Sequence, residues 1–184
     1  CKSNCREISD SVTLPKNNDE LKKIWFDSID VLDIKTMKRL IDYGIDVNIK
    51  NDNGETAIFN IIYEDDEILS LLLKANLDVN IKNDKGNTVL MDVIGNTDEE
   101  EDVLEILKTL IEYGADVNLK NKNGETALLL YSWWYPNIMK LLIEAKADIN
   151  SQDNDGETIL MKVILSENYN PKLQKCVKIL LDAG

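Results

Sequence analysis

Apolar side chains recur at the same offsets in five segments of the chain. In each segment three of them follow the spacing i, i+3, i+4, which places them on one side of an α-helix. The spacing therefore predicts five amphipathic helices, each with one buried stripe. The stripes are Met37, Leu40 and Ile41; Leu69, Leu72 and Leu73; Leu107, Leu110 and Ile111; Met139, Leu142 and Ile143; and Val177, Leu180 and Leu181.

Polar turns of one type lie between these helices. The four copies read DVNIKNDNGET at 46–56, DVNIKNDKGNT at 78–88, DVNLKNKNGET at 116–126 and DINSQDNDGET at 148–158, and their glycines are spaced 32, 38 and 32 residues apart. A short apolar stretch follows each turn and precedes the longer helix. Such self-similarity is typical of repeat proteins. It predicts a flexible polar tail at 1–19 and a repeat domain at 20–184, with repeats 1 to 5 at about 20–50, 51–82, 83–120, 121–152 and 153–184.

In these motifs the chain resembles the ankyrin repeat. The sequences YGIDVN, YGADVN and NGET recur in register, and the resemblance covers residues 20–184. It implies an all-α ankyrin-repeat solenoid of about five helix-turn-helix repeats joined by β-hairpin-like loops. The stability of such a solenoid is a sum of repeat and interface contributions.

The turn and cap residues have local physical roles. A threonine hydroxyl before each first helix can accept a hydrogen bond from a free backbone N–H, at Thr56, Thr88, Thr126 and Thr158. The Asn and Gly residues of each turn are expected at positive φ. The second helices are expected to end in the left-handed conformation, with mild strain at the lysine, at Gly44, Asn76, Gly114, Lys146 and Gly184.

The chain departs from the ankyrin pattern in several places. It contains no histidine, so the hydrogen bonds between repeats that the family forms through histidine are absent, and hydrophobic contact is expected to replace them. Repeats 3 and 5 are longer than repeats 2 and 4, which creates a period of 70 residues that relates Gly44, Gly114 and Gly184. The extra residues of repeat 3 include an acidic run at 98–102. It is interpreted as a solvated surface that favours the positive end of the following helix.

Composition limits the class of partner. The chain has 184 residues, 43% of them hydrophobic and 30% charged, which suffices for one domain with a sizeable core. With 21 Lys and Arg against 34 Asp and Glu, the net charge is −13. Such a surface repels phosphate backbones and anionic lipid headgroups. No nucleic-acid partner is therefore expected, and no apolar run is long enough to span a membrane.

The first residue raises the question of an anchor. Cys1 followed by a polar stretch resembles a mature bacterial lipoprotein, in which Cys1 carries the lipid and the protein lies in the bacterial cell envelope. The alternative is an arbitrary fragment boundary, with a cytoplasmic protein. Cys5 lies in the same tail. Cys176 replaces an aliphatic residue of earlier repeats and is expected to be a small core residue.

The sequence offers no catalytic or metal-binding motif. The absence of histidine removes the commonest general base and transition-metal ligand. The Asp-rich turns do not fit a calcium-binding EF-hand loop, because its first ligand position would fall on Ile49, Ile81, Leu119 or Ser151. We therefore expect no enzyme, cofactor, metal or small-molecule substrate.

The resemblance implies a protein–protein interaction module. We expect a monomer whose partner is another protein with a basic or mixed basic and apolar surface. The alternative is a tethered spacer or protective structural protein, which would have a uniformly polar concave face. The positions that the family uses for contacts flank the turn glycine and follow the first helix: Asp52, Asn53, Glu55, Asn60 and Tyr63; Asp84, Lys85, Asn87 and Asp92; Lys122, Asn123, Glu125 and Leu130; Asn154, Asp155, Glu157 and Lys162.

Three consecutive aromatic residues follow the first helical segment of repeat 4. Trp133, Trp134 and Tyr135 align with mostly polar residues of the other repeats. Left exposed, they would equal or exceed the largest apolar patch of a typical monomer. Either all three fill space beside the longer repeats, or one Trp is buried while the other and Tyr135 form a binding anchor with Tyr63 and Leu130.

Overall fold

A computed structural model describes residues 14, 15, 17–52, 54–62, 66–96, 100–130, 134–166 and 171–184, apart from the side chains of Asp66 and Asp102. The predictions for Cys1, Cys5, Asn53, Tyr63 and Trp133 lie outside these residues. Within them the chain forms nine α-helices and no extended strands: α1 (Asn18–Asp30), α2 (Ile34–Tyr43), α3 (Ala57–Ile61), α4 (Asp66–Lys74), α5 (Val89–Gly95), α6 (Glu100–Glu112), α7 (Pro136–Glu144), α8 (Ile159–Leu165) and α9 (Pro171–Ala183).

The chain divides into two compact units. The first, Cys1–Leu77, packs α1 against α2 and α3, and α3 against α4. Its core takes fully buried side chains from all four helices, among them Trp25, Met37, Ile58 and Leu72. The side chain of Asp33 begins α2 by accepting hydrogen bonds from the hydroxyl and the N–H of Thr36. The hydrogen bond from the Thr36 hydroxyl is the main reason that the pKa of the Asp33 carboxyl is lowered.

The second unit, Asp78–Gly184, contains α5 to α9. Helix α6 packs against α5 and α7, and α9 packs against α7 and α8. The buried stripes of α6 and α7 meet in its core, where Leu107, Leu110, Met139 and Leu142 are fully buried. The predicted stripes of α6 and α7 therefore form the interior of this unit, whereas in the stripe of α9 the prediction is wrong for Leu181, which is 67% exposed.

Repeat 4 differs from the predicted helix pair. Residues 127–130 form turns instead of a helix, with the N–H groups of Leu129 and Leu130 both donating to the carbonyl oxygen of Thr126. Ala127, Leu128 and Leu129 are nevertheless buried. This segment thus contributes apolar side chains to the core without a complete helix in the described residues.

The second helices end as expected. Gly44, Gly114 and Gly184 have φ of 98°, 91° and 111°, and Asn76 and Lys146 have φ of 63° and 71°. A lysine in this region carries the steric strain between its Cβ and the backbone that glycine avoids. The predicted strain at Lys146 is therefore confirmed.

The threonine caps are confirmed at three of four positions. The hydroxyls of Thr88, Thr126 and Thr158 accept from the N–H three residues later, each at 3.4 Å. Thr56 was predicted to do the same, and that prediction is wrong. Its hydroxyl is buried and has no hydrogen-bond partner in the part of the chain that the structure describes.

Asparagine side chains link successive repeats of the second unit. Asn80 donates to the carbonyl oxygen of Gly114 (3.1 Å) and accepts from the N–H of Asp116 (2.8 Å). Asn118 forms the same pair of bonds with Lys146 (3.0 Å) and Asp148 (2.8 Å). These bonds exist beside the hydrophobic contact that was expected to replace the missing histidine bonds, which Met91 and Leu129 provide as buried side chains at two of the histidine positions.

Candidate functional site

The turn in each repeat of the second unit is closed by one side chain. In repeat 4 the side-chain oxygen of Asn121 accepts from the N–H groups of Asn123 (2.9 Å) and Glu125 (3.0 Å). Asn83 and Asp153 do the same in repeats 3 and 5. Among the described turn residues only the glycines have positive φ. The prediction that the Asn residues also adopt positive φ is therefore wrong, because they bind backbone N–H groups instead.

The tips of these turns are joined by backbone hydrogen bonds. The N–H of Lys122 donates to the carbonyl oxygen of Lys85 (3.2 Å), and the N–H of Asn154 donates to that of Asn123 (2.9 Å). A Cβ on Gly86 would lie 2.9 Å from the Lys122 nitrogen. A Cβ on Gly124 would lie 2.8 Å from the Asn154 nitrogen. Residues 84–87, 122–125 and 154–157, here called the tip ridge, are thus held together by contacts that only glycine permits.

A groove of about 1020 Å³ runs beside the tip ridge. The predicted residues that line it are Asp84, Lys85, Asn87, Asp92, Lys122, Asn123, Glu125, Leu130, Glu157 and Lys162. Asn154 and Asp155 belong to the ridge and do not line the groove. The lining residues that we did not predict are Met91, Gly95, Asn96, Asn121, Leu129, Leu165 and Ser166.

Three equivalent positions contribute different chemistry to the groove. They lie four residues after the capping threonine of repeats 3, 4 and 5, and carry Asp92, Leu130 and Lys162. Asp92 accepts hydrogen bonds from the side-chain amides of Asn83 and Asn87, each at 3.2 Å. Leu130 is half-buried. These three positions therefore carry an acidic, an apolar and a basic side chain in repeats 3, 4 and 5.

Lys162, the basic residue of the three, belongs to an ion-pair cluster. The Lys162 Nζ lies 2.7 Å from Asp153 and 3.4 Å from Glu157. Burial opposes ionisation of both Asp153 and Lys162, yet the hydrogen bond and charge attraction between them outweigh it. The pKa of Asp153 is lowered and the pKa of Lys162 is raised. Both groups are therefore charged at neutral pH.

The sequence contains a pattern that could have indicated the apolar lining residues that were not predicted. Met91 and Leu129 occupy the position where the ankyrin pattern has histidine, and Leu165 lies at the end of α8. The loss of histidine was interpreted as a replacement of hydrogen bonds by hydrophobic contact between repeats, and not as a change in the groove. The apolar side chains that replace it in repeats 3 and 4 also line the groove.

The described predicted residues of the first unit are Asp52, Glu55 and Asn60. Asp52 is exposed and forms an ion pair with Lys22 at 3.0 Å. Glu55 accepts a hydrogen bond from the Asn51 amide (3.3 Å), and Asn60 is exposed. A shallow pocket of about 510 Å³ includes Asp52 and Phe26 in its lining.

The described aromatic residues of repeat 4 do not line the groove. Trp134 and Tyr135 are half-buried, and Tyr135 immediately precedes α7. The Lys172 Nζ lies 5.9 Å from the centre of the Tyr135 ring, which allows a cation–π interaction. The structure does not bring these two residues together with Leu130 in one binding surface, and the aromatic anchor stays a prediction.

One member of the acidic run is not solvated. Glu100 is only 6% exposed, and its carboxylate accepts from the backbone N–H and the side-chain amide of Asn137 and from the N–H of Ile138 (2.9 Å). It therefore caps the start of α7, and the solvated interpretation is wrong for this residue.

Cys176 is fully buried, as predicted. Burial, with the nearby charge of Glu100, raises the pKa of its thiol to about 11.

Metal sites and membrane spans are absent from the described residues. Among them, no three acidic or cysteine side chains are grouped so that they could hold a metal ion. No helix in this part of the chain has the length and apolar character needed to cross a bilayer.

Comparison with protein families identifies the repeats. A family model described as ankyrin repeats (3 copies) matches residues 30–121 and 97–184. Together these stretches span most of the chain and include every repeat turn. A search of curated proteins returns no match.

Proposed function

Because the chain belongs to the ankyrin-repeat family, whose members are generally protein–protein interaction modules and typically not enzymes, we propose that it binds a partner protein through the groove beside the tip ridge. The observation that carries the proposal is the groove itself, which combines a polar ridge with apolar side chains. Its accessible apolar side chains are Leu130, which is half-buried, and Leu165, which is 68% exposed, while Met91 and Leu129 lie almost fully buried beneath the lining. A spacer was expected to have a uniformly polar face, so this apolar surface favours recognition over a spacer role.

The backbone bonds along the tip ridge support the same proposal. A surface that is already ordered loses less conformational entropy when a partner binds. The tips of repeats 3, 4 and 5 are fixed to one another through Lys122 and Asn154. The side chains of the ridge are therefore presented from a preorganised backbone.

The charges define the partner's chemistry. The groove lining contains four carboxylates and three lysines, and one of those lysines, Lys162, is already paired with Asp153 and Glu157. The whole chain has a net charge of −13. Charge complementarity steers association and suppresses wrong partners. The partner surface is accordingly basic, with an apolar group opposite Leu130.

The test compares matched variants in a capture experiment. Leu130→Asn gives repeat 4 the residue that repeat 2 has at the equivalent position, Asn60. Asp155→Asn changes an exposed ridge residue that does not line the groove. The full chain and both variants are immobilised, and proteins captured from the native source are cross-linked and identified by mass spectrometry.

We expect at least one captured protein whose affinity falls about tenfold with Leu130→Asn, which corresponds to about 1.4 kcal/mol, and is unchanged with Asp155→Asn. Its cross-links should map to the tip ridge. Circular dichroism checks that both variants remain folded. Equal capture by all three chains, or cross-links confined to other surfaces, would contradict the proposal.

A further inference from the structure

The side chains of Asp92, Leu130 and Lys162 start from the same backbone position in repeats 3, 4 and 5. The N–H of each residue donates to the carbonyl oxygen of the threonine four residues earlier, at 3.0, 3.1 and 3.1 Å. All three residues also line the groove. The chemistry at this position in one repeat can therefore be compared directly with that in the next.

Lys162 shows how a cation at this position serves the turn of its own repeat. Its Nζ lies 2.7 Å from Asp153, which closes the turn, and 3.4 Å from Glu157, the residue before the capping threonine. The lysine side chain is only 18% exposed, so much of it is shielded from water. Repeat 5 thus supplies its own cation to the carboxylate of Glu157.

Repeat 4 has the equivalent carboxylate without a cation. Glu125 is half-buried, and its Oε2 accepts from the side-chain amides of Asn121 (2.9 Å) and Asn123 (3.3 Å). Among the described residues, no group donates a hydrogen bond to its Oε1 and no lysine or arginine forms an ion pair with it. Burial removes part of the hydration of a carboxylate, so a positively charged neighbour stabilises it.

The surroundings of Glu125 suit a long cationic side chain. Leu130 occupies the position of the lysine, is half-buried, and offers an apolar contact to a hydrocarbon stem. A second carboxylate, that of Asp92, is joined to Glu125 by three hydrogen bonds through Asn87 and Asn121, at 3.2, 3.0 and 2.9 Å. An ordered row of polar side chains therefore runs along the groove between carboxylates of two neighbouring repeats.

We propose that Glu125 binds a cationic side chain, an arginine or a lysine, that the partner protein inserts into the groove. The charged group lies beside Glu125 as Lys162 lies beside Glu157, and its hydrocarbon stem packs against Leu130. This inference rests on the proposed function, because it names the group of the partner that the same groove recognises. Glu125 is then the residue that determines specificity for a positive charge.

The test measures binding of three blocked tripeptides to the full chain by NMR. Acetyl-Gly-Arg-Gly-amide and acetyl-Gly-Lys-Gly-amide are the cationic probes. The same peptide with citrulline, which has nearly the shape of arginine without its charge, is the control probe. The variants are Glu125→Gln, Leu130→Lys and Leu130→Gln. Glu101→Gln is the matched control, because it removes an exposed carboxylate that does not line the groove.

We expect the cationic probes to shift the backbone signals of Glu125 and Leu130 saturably, and the citrulline probe to bind about tenfold more weakly. Glu125→Gln should weaken binding of the cationic probes about tenfold. Leu130→Lys should weaken it at least as much, because the added ammonium group pairs with Glu125. Leu130→Gln, which adds no charge, should weaken it about twofold to threefold. Glu101→Gln should leave it unchanged.

Tighter binding of the arginine probe than of the lysine probe would identify a guanidinium as the preferred group, and the reverse an ammonium. Equal binding of the cationic and citrulline probes would overturn the proposal. Shifts spread evenly over exposed carboxylates elsewhere on the chain would also overturn it. Circular dichroism checks folding, and if Glu125→Gln does not fold, the comparison of Leu130→Lys with Leu130→Gln decides.

The capture experiment separates this inference from the proposed function. Glu125→Gln is added to it beside Leu130→Asn. If the captured protein loses affinity with Leu130→Asn but keeps it with Glu125→Gln, the groove binds its partner without a cation at Glu125, and only the role of Glu125 fails. If neither variant changes capture, the proposed function fails, whether or not the tripeptides bind at Glu125.

Discussion

At the scale of single residues, the threonine before the first helix of a repeat differs in its hydrogen bonding between repeats 2 and 3. Thr88 is almost fully buried and its hydroxyl caps α5, whereas the equally buried hydroxyl of Thr56 has no partner among the described residues. A buried polar group without a hydrogen bond destabilises the folded state, while a capping one stabilises it. The same residue type therefore has opposite effects on stability in repeats 2 and 3.

Replacing these threonines with the isosteric valine separates the two effects. We expect Thr88→Val to lower the free energy of unfolding by about 1 kcal/mol through loss of the cap. Thr56→Val should leave it unchanged or raise it, because an unpaired hydroxyl becomes a methyl group. Urea unfolding followed by circular dichroism measures both. A loss of about 1 kcal/mol in both variants would mean that the Thr56 hydroxyl has a partner in solution.

The ion pair of Asp153 and Lys162 makes stability depend on pH. The Asp153 pKa is lowered from 3.8, so its contribution is present above that value and is lost as the pH falls through the lowered pKa. The Lys162 pKa is raised from 10.5, so its contribution is present below 10.5 and is lost as the pH rises through the raised pKa. The full effect therefore lies between these limits.

Asp153→Asn tests this pH window. It introduces the residue that closes the turn in repeats 3 and 4, so the turn should form without the ion pair. We expect a loss of about 1–2 kcal/mol at pH 7 and a smaller loss at pH 2.5, measured by urea unfolding. Asp155→Asn, at an exposed residue, is the control. A loss of the same size at both pH values would show that the charge of Asp153 is irrelevant.

At the scale of elements, α7 depends on a neighbour for its start. The residue before it, Tyr135, offers no capping side chain. Glu100, at the first residue of α6, supplies a carboxylate to the free N–H groups of Asn137 and Ile138. A negative charge at a helix N-terminus also interacts favourably with the helix dipole. One buried side chain thus ties the second helices of repeats 3 and 4 together.

Removing this carboxylate should be costly. We expect Glu100→Ala to lower the free energy of unfolding by about 2–3 kcal/mol, because it leaves buried donors unpaired. Glu101→Ala changes the next, exposed residue of α6 and should alter stability by less than about 0.5 kcal/mol. Thermal and urea unfolding of both variants check this. Equal effects of the two substitutions would contradict the capping role of Glu100.

The predicted all-α ankyrin-repeat fold is confirmed. Some of its features could be predicted from the local sequence, and others could not. The stripes of α6 and α7, and the left-handed ends at Gly114 and Lys146, follow from spacing and backbone sterics within a few residues. The cap by Glu100 depends on how α6 lies against α7, across 37 residues of sequence, and no local rule contains that information. The groove was predicted in part, because its ridge residues follow from the turn motif, whereas Met91 and Leu129 required the packing of the repeats.

At the scale of the whole molecule, charge repulsion opposes compaction. A net charge of −13 on 184 residues raises the electrostatic energy of the folded chain. Salt also weakens the attraction between Lys38 and Glu67, which lowers stability, but an exposed ion pair of this kind contributes little. Repulsion should therefore dominate the response to ionic strength.

We expect the melting temperature to rise by about 2–4 °C between 20 and 200 mM NaCl, which corresponds to about 1 kcal/mol. Calorimetry at constant pH 7 measures it. Potassium chloride over the same range is the control, since screening does not depend on the cation. A fall in melting temperature would mean that attractive ion pairs outweigh the net repulsion.

The glycine contacts of the tip ridge also bear on how this protein can change over evolution. Gly86 and Gly124 fix the spacing between neighbouring tips through the backbone, so neither position can mutate without pushing two repeats apart. The ridge residues beside them, such as Lys85 and Asn123, take part in that spacing only through backbone atoms. Their side chains can vary without disturbing the scaffold. These positions can therefore change quickly in sequence, while the backbone geometry that carries their side chains remains constant.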